Sequence, residues 1–119
     1  AARVADMLPT TATGVRVAGD PDRPVSRVAL CGGAGDSLLG HRAVLEADVY
    51  ITSDLRHHPA QESLEQSAVS GGPALIDVSH WASESLWLEA AAEQLRHQLA
   101  EVEFIISTVS TDPWTFAVR

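Results

Sequence analysis

The feature that most constrains this chain is a repeated change of hydrophobic period. Short runs rich in β-branched residues, Asp48 to Ser53 (DVYITS) and Ala74 to Val78 (ALIDV), alternate with segments whose apolar residues recur at helical spacing. Val25 to Cys31 reads as an earlier strand, and Val102 to Thr108 (VEFIIST) reads as a closing one. Between them, Leu38 to Ala47, Pro59 to Ser70 and Trp81 to about Ala100 predict helices, with Pro59 tolerable only in a first turn. Arg3 to Leu8 predicts a short opening helix, and Val15 to Val17 a short edge strand. Strand, helix, strand in this order defines an α/β fold, a layered sandwich with a mainly parallel or mixed sheet and crossover helices.

Composition supports one domain across residues 1–119. With 45% hydrophobic and 20% charged residues, the chain buries enough apolar surface to offset the entropy lost on folding. Its uncharged apolar runs fall well short of the roughly 20 residues that cross a bilayer, so no membrane association is expected. No repeat or linker divides the sequence. Sixteen acids against eight arginines give a net charge of −8, which repels phosphate backbones and argues against nucleic-acid partners. The lone cysteine, Cys31, forms no intrachain disulfide and fits a reducing, cytoplasmic setting. The chain opens at Ala1, and its first helical turns have nothing before them to pack on. It is therefore read as a processed chain or a piece of something longer.

In α/β sheets a ligand lies beyond the carboxyl ends of the strands, so the residues there matter most. The first strand runs into Gly32-Gly33-Ala34-Gly35, where Gly32, Gly33 and Gly35 are candidate cofactor-binding positions because glycine amides can turn toward an anion. No Gly-Lys-Ser/Thr ending makes this a P-loop, and a tight structural turn explains the glycines equally well. The second strand ends in Asp54-Leu55-Arg56-His57-His58, a carboxylate and two imidazoles able to ligate a metal or move protons near neutral pH. Adjacent histidines also occur as plain polar surface. After the third strand, His80 and Glu84 stand four apart, on one face of a helix. Their nitrogen and oxygen donors suit zinc, iron, manganese or nickel, while a surface pair with Ser79 as helix cap is the simpler alternative. Three loops at one sheet edge strengthen one another as a site. Cys31 reads as core, and Trp81, Trp87 and Trp114 as packing anchors or pocket walls.

Taken in order, Leu30 to Ser37, Ala47 to Glu62, Ser79 to Glu84, Ser107-Thr108 and Thr111 to Phe116 resemble the C-terminal half of the GTP cyclohydrolase I type 2 homologue family, the Nif-three-like dinuclear metal proteins. The resemblance spans nearly the whole chain. It implies two related α/β halves facing each other across a cleft that holds two divalent metal ions, assembled as a homo-oligomer, commonly a toroidal hexamer. The family's His-x-x-x-Glu metal ligands fall on His80 and Glu84. Its Gly-Asp/Glu-x-x-x-His stretch falls on Ser53 to His58, which puts Asp54 and His58 on the cleft as catalytic groups that either support the metal ligands from behind or transfer protons. Ser53 and Ser79 stand where glycines are usual. His57-His58-Pro59 also looks like a ligand motif of the family's N-terminal half, although its surroundings here are those of the C-terminal half.

The resemblance further implies a metal-dependent hydrolase acting on a nucleotide-like or phosphorylated small molecule, with the missing N-terminal half or a partner chain completing the metal site. The alternative is a non-catalytic metal-binding assembly or regulatory module.

Overall fold

The computed structural model describes residues 1–118. Four strands form one sheet in the order β1-β4-β3-β2, where β1 is Arg16–Ala18, β2 is Val28–Ala34, β3 is Val49–Ser53 and β4 is Ala74–Val78. The three longer strands run parallel and β1 pairs antiparallel with β4, so the sheet is mixed, in an α/β architecture. Parallel neighbours need crossovers, which α2 (Arg42–Leu45) and α3 (His57–Ser70) supply.

Strands β3 and β4 occupy the centre, and their side chains are buried on both faces, which is why they read as almost continuous apolar runs. On one face Tyr50 and Leu75 pack with Leu39 and Val44, and Ala60 and Leu64 of α3 close the layer. On the other face Val49, Ala74, Ile76 and Val78 meet Val4 and Leu8 from α1 (Ala2–Met7) and its exit. The alternation Val49-Tyr50 and Leu75-Ile76 therefore assigns neighbouring residues to opposite cores.

Four expectations shift. Strand β2 runs to Ala34 rather than Cys31, so Gly32 and Gly33 lie within it, and the pairing with β3 slips between Leu30 and Ala34. Gly33 takes φ +71, which a strand accommodates at such an irregularity. The helix expected over 38–47 divides into a 3₁₀ turn, Asp36–Leu38, and α2, with His41 Nδ1 accepting the Ala43 amide as a new cap. The long helix becomes α4 (His80–Ser85) and α5 (Trp87–Gln98). At that junction the Ser83 and Ser85 hydroxyls donate to the His80 and Ala82 carbonyls, a competition with the helix ladder that disturbs it.

The strand expected at Val102 to Thr108 does not form. The β4 edge, to which a crossover from α5 would return the chain, is already filled by β1. Residues 102–118 instead lie as an irregular tail, tied to α5 where Arg96 donates to the Phe104 carbonyl at 3.0 Å. Helix α5 keeps its apolar stripe largely uncovered, with only Ala92 buried. Among the described residues no helix is long and apolar enough to cross a membrane.

Candidate functional site

Two strand ends build the site. Asp54 follows β3 directly, and a single residue, Ser79, separates β4 from His80. Because β3 and β4 are parallel neighbours, with Ser53 opposite Val78, both groups emerge at one carboxyl edge. Ser79 caps α4 by accepting the Ala82 amide, which fixes the first helical turn and with it the backbone of His80.

The three candidate side chains form a chain of contacts. His80 Nδ1 lies 2.6 Å from Asp54 Oδ2, and His80 Nε2 lies 3.0 Å from Glu84 Oε1. The hydrogen bond to Asp54, followed by the nearby Glu84 charge, raises the His80 pKa against the opposing effect of desolvation. Asp54 adopts φ 56, a left-handed conformation that Asp tolerates better than most residues. What holds it there is Asp77, a carboxylate inside the apolar β4 run. Asp77 Oδ1 accepts the Leu55 amide at 2.8 Å, and Oδ2 pairs with Arg16 of β1.

The glycines serve this geometry through space rather than through free amides. A Cβ on Gly33 would stand 2.6 Å from Glu84 Oε1, and one on Gly35 would stand 2.2 Å from both Thr52 Oγ1 and Tyr50 OH. The Gly33 amide donates to Ser83 Oγ at 3.1 Å, and the Gly35 amide to the Ser53 carbonyl at 3.4 Å. Their carbonyls accept from Thr52 Oγ1 and Tyr50 OH, both at 3.0 Å. Burial holds the Tyr50 phenol above its ordinary pKa, so it remains a donor. A Cβ at Gly32 would meet open space.

Asp54, His80 and Glu84 open onto a cavity of about 980 Å³, walled on its other sides by residues of the tail. His58 is not among its lining residues. It is exposed on the first turn of α3, its ring edge-on to His57 with centroids 5.2 Å apart. Sequence reasoning missed two residues that matter here. Asp77 was legible as a charge within ALIDV, and Ser83, which joins Gly33, Ser53 and the His80 carbonyl, carried no sequence signal.

His80 Nε2 and Glu84 Oε1 are chemically suited to a divalent transition metal, and Asp54 occupies the place of the carboxylate that orients a ligating imidazole. They supply two donors, where catalytic zinc sites use three protein ligands. Among the described residues no group of three or more His, Cys, Asp and Glu side chains is arranged to hold a metal ion. His80 spans its two carboxylates instead of converging with them on one point. The donor set thus fits part of a metal site.

An α/β domain with an imidazole and carboxylates at one sheet edge is the class that fold and site define. The family described as Duf34/NIF3 (NGG1p interacting factor 3) matches residues 1–113, and the chain belongs to it. Proteins named GTP cyclohydrolase 1 type 2 homolog are similar: 57% identical in Mycobacterium tuberculosis over 95% of this chain, 53% in Mycobacterium leprae over 99%, and 45% in Streptomyces coelicolor over 97%. The chain spans 29%, 30% and 40% of those proteins, respectively. Among solved structures, the Bacillus cereus protein related to NIF3 superimposes with a TM-score of 0.74 at 29% identity, covering 87% of this chain and 28% of that one. A Staphylococcus aureus protein gives 0.71 at 28% identity, covering 87% and 33%.

Proposed function

We propose that this chain forms one wall of a dinuclear metal centre in a metal-dependent hydrolase acting on a nucleotide-like or phosphorylated small molecule. His80 and Glu84 are the ligands, for zinc, iron, manganese or nickel. The observation that carries this reading is the Asp54–His80–Glu84 arrangement, in which one carboxylate holds Nδ1 while the other shares the space in front of Nε2. When bound, such a pair of ions supplies an activated water and stabilises charge on the attacked group.

This chain's own residues prepare that space. Asp54 holds Nδ1, which leaves Nε2 as the nitrogen that would meet a metal ion held together with Glu84. Gly33 leaves room for Glu84 Oε1 and His80 Nε2, which a Cβ there would crowd, and Gly32 and Gly35 flank it. His58 stands ready for proton transfer with groups brought by the rest of the assembly. The remaining ligands come from an N-terminal half or a partner chain, in a cytoplasmic homo-oligomer for which the family resemblance supports a hexamer. The name GTP cyclohydrolase 1 type 2 homolog, carried by the relatives, supports the nucleotide-like part of this reading.

A second reading, a non-catalytic metal-binding assembly or regulatory module, is favoured by the supply of only two donors among the described residues. Metal analysis of the protein and of a His80→Ala, Glu84→Ala double variant tests the ligands, and equal metal content in both sinks the assignment. Hydrolysis assays across nucleotides and phosphoesters then separate the two readings. Stoichiometric metal without turnover supports the binding module.

A further inference from the structure

All three tryptophans of the chain, Trp81, Trp87 and Trp114, line the cavity that carries Asp54, His80 and Glu84. Neither hydrophobic core uses any of them. Trp87 and Trp114 are 64% and 65% exposed, and among the described residues the aromatic pair is His57 with His58, so the indoles do not stack on one another. Large flat apolar surfaces are thus gathered at one site, Trp81 half-buried and the other two mostly exposed.

Their placement is tied to the candidate ligands. Trp81 follows His80 directly in α4. Trp114 comes from the tail, where Asp112 fixes it: Asp112 Oδ1 accepts the Trp114 amide at 2.9 Å, and Oδ2 accepts the Ser79 hydroxyl at 2.5 Å. Ser79 in turn caps the helix that begins at His80. One carboxylate therefore registers an indole-bearing segment against the backbone of a candidate metal ligand.

The polar part of the wall narrows the ligand further. Among the described lining residues the one guanidinium, Arg16, is bound to Asp77, while Asp54, Glu84 and Asp112 are acidic. A phosphate entering from this side meets no uncommitted cation of the wall, whereas the π-face of a ring meets the indoles.

We infer that the cavity binds a flat heteroaromatic ring of nucleobase type against Trp81 and Trp114, with the rest of the ligand directed toward His80 and Glu84. This rests on the hydrolase reading above and specifies which part of the substrate this wall recognises. Stacking of a base on an aromatic side chain tolerates many rings, so the indoles set the class of ligand rather than one base.

Calorimetric titration of the protein as the cell makes it, with and without prior chelation, tests the inference using two probes. Guanosine offers the ring without phosphate, and ribose 5-phosphate offers phosphate without the ring. Guanosine is expected to bind saturably in both preparations, and ribose 5-phosphate not to bind after chelation. Trp114→Leu is expected to weaken guanosine about tenfold, with Trp114→Phe recovering most of the loss. Unchanged guanosine affinity in Trp114→Leu overturns the inference. So does absence of guanosine binding with a change in assembly mass in that variant, which makes the indoles a protein interface. Metal content measured on the same samples keeps the two readings apart: ring binding without stoichiometric metal overturns the metal centre alone, and metal without ring binding overturns the stacking site alone.

Discussion

Gly33 lies so close to Glu84 that a Cβ there would stand 2.6 Å from Oε1, and 3.1 Å from His80 Nε2. The residue also sits at φ +71, a conformation that costs an L side chain. Gly33→Ala is therefore expected to lose about 1–3 kcal/mol of stability, and with it metal content. Gly32→Ala, one residue earlier and facing open space, serves as the control. Urea midpoints of the two variants check this, and equal losses in both would show that close approach is not what position 33 requires.

Asp54 is expected to act through His80. Asp54→Asn keeps a residue that tolerates the left-handed backbone but removes the charged acceptor from Nδ1. Loss of such an orienting partner lowers metal affinity roughly 10–100-fold. Competition with a chromogenic chelator measures it, and an affinity equal to the parent's would remove Asp54 from the site.

Acid stability has a separate source at the entry to β3. Asp48 Oδ2 accepts the Arg27 and Ser26 amides, each at 2.8 Å, and the Ser26 hydroxyl at 3.0 Å. Chiefly the two amide bonds hold its pKa at about 2, below the ordinary 3.8. A depressed folded-state pKa means the contribution is complete above the unfolded value and is lost as pH falls through the folded one. Its loss is expected between about pH 4 and pH 2. Asp48→Asn should lower stability at neutral pH and flatten the pH dependence across that window. Thermal melts at closely spaced pH values compare the two slopes, and parallel slopes would contradict the assignment.

The Ser79–Asp112 bond is expected to couple the tail to the helix that carries His80. Ser79→Ala alone removes a helix cap, at a cost of about 1 kcal/mol. In a double-mutant cycle with Asp112→Ala, a coupling energy of about 0.5–3 kcal/mol is expected for directly bonded neighbours. Additive losses would show that Asp112 holds Trp114 without acting on Ser79.

The sequence made most of this sheet legible because β3 and β4 are central strands, and double-sided burial leaves a run of apolar residues with little else to be. His80 and Glu84 were legible as a helical pair for the same local reason. The failures have physical causes too. Val102 to Thr108 has strand-like residues, but strand formation needs a free edge in the right place, and β1 occupies it in a pairing whose partners Arg16 and Asp77 stand 61 residues apart in the chain. The glycine run looked like a loop because glycine ordinarily ends strands. Here Tyr50 and Thr52 supply hydroxyl bonds to its carbonyls where the backbone register slips, and cross-strand partners of that kind are invisible along the chain. The contacts of Asp77 with Leu55 and Arg16 were hidden for the same reason.

Those two hydroxyls belong to one of two different surroundings of Glu84, which lies against Gly33 and also lines the cavity. The Gly33 side is anchored by Tyr50 and Thr52, residues buried between the sheet and its helices, so its shape is inherited from the hydrophobic interior and cannot be altered without disturbing it. On the cavity side Glu84 shares the lining with the tail, which is without regular secondary structure and largely exposed. Substitutions in residues 107–114 therefore reshape the cavity without touching the sheet, while the position of Glu84 stays bound to the packing around Gly33.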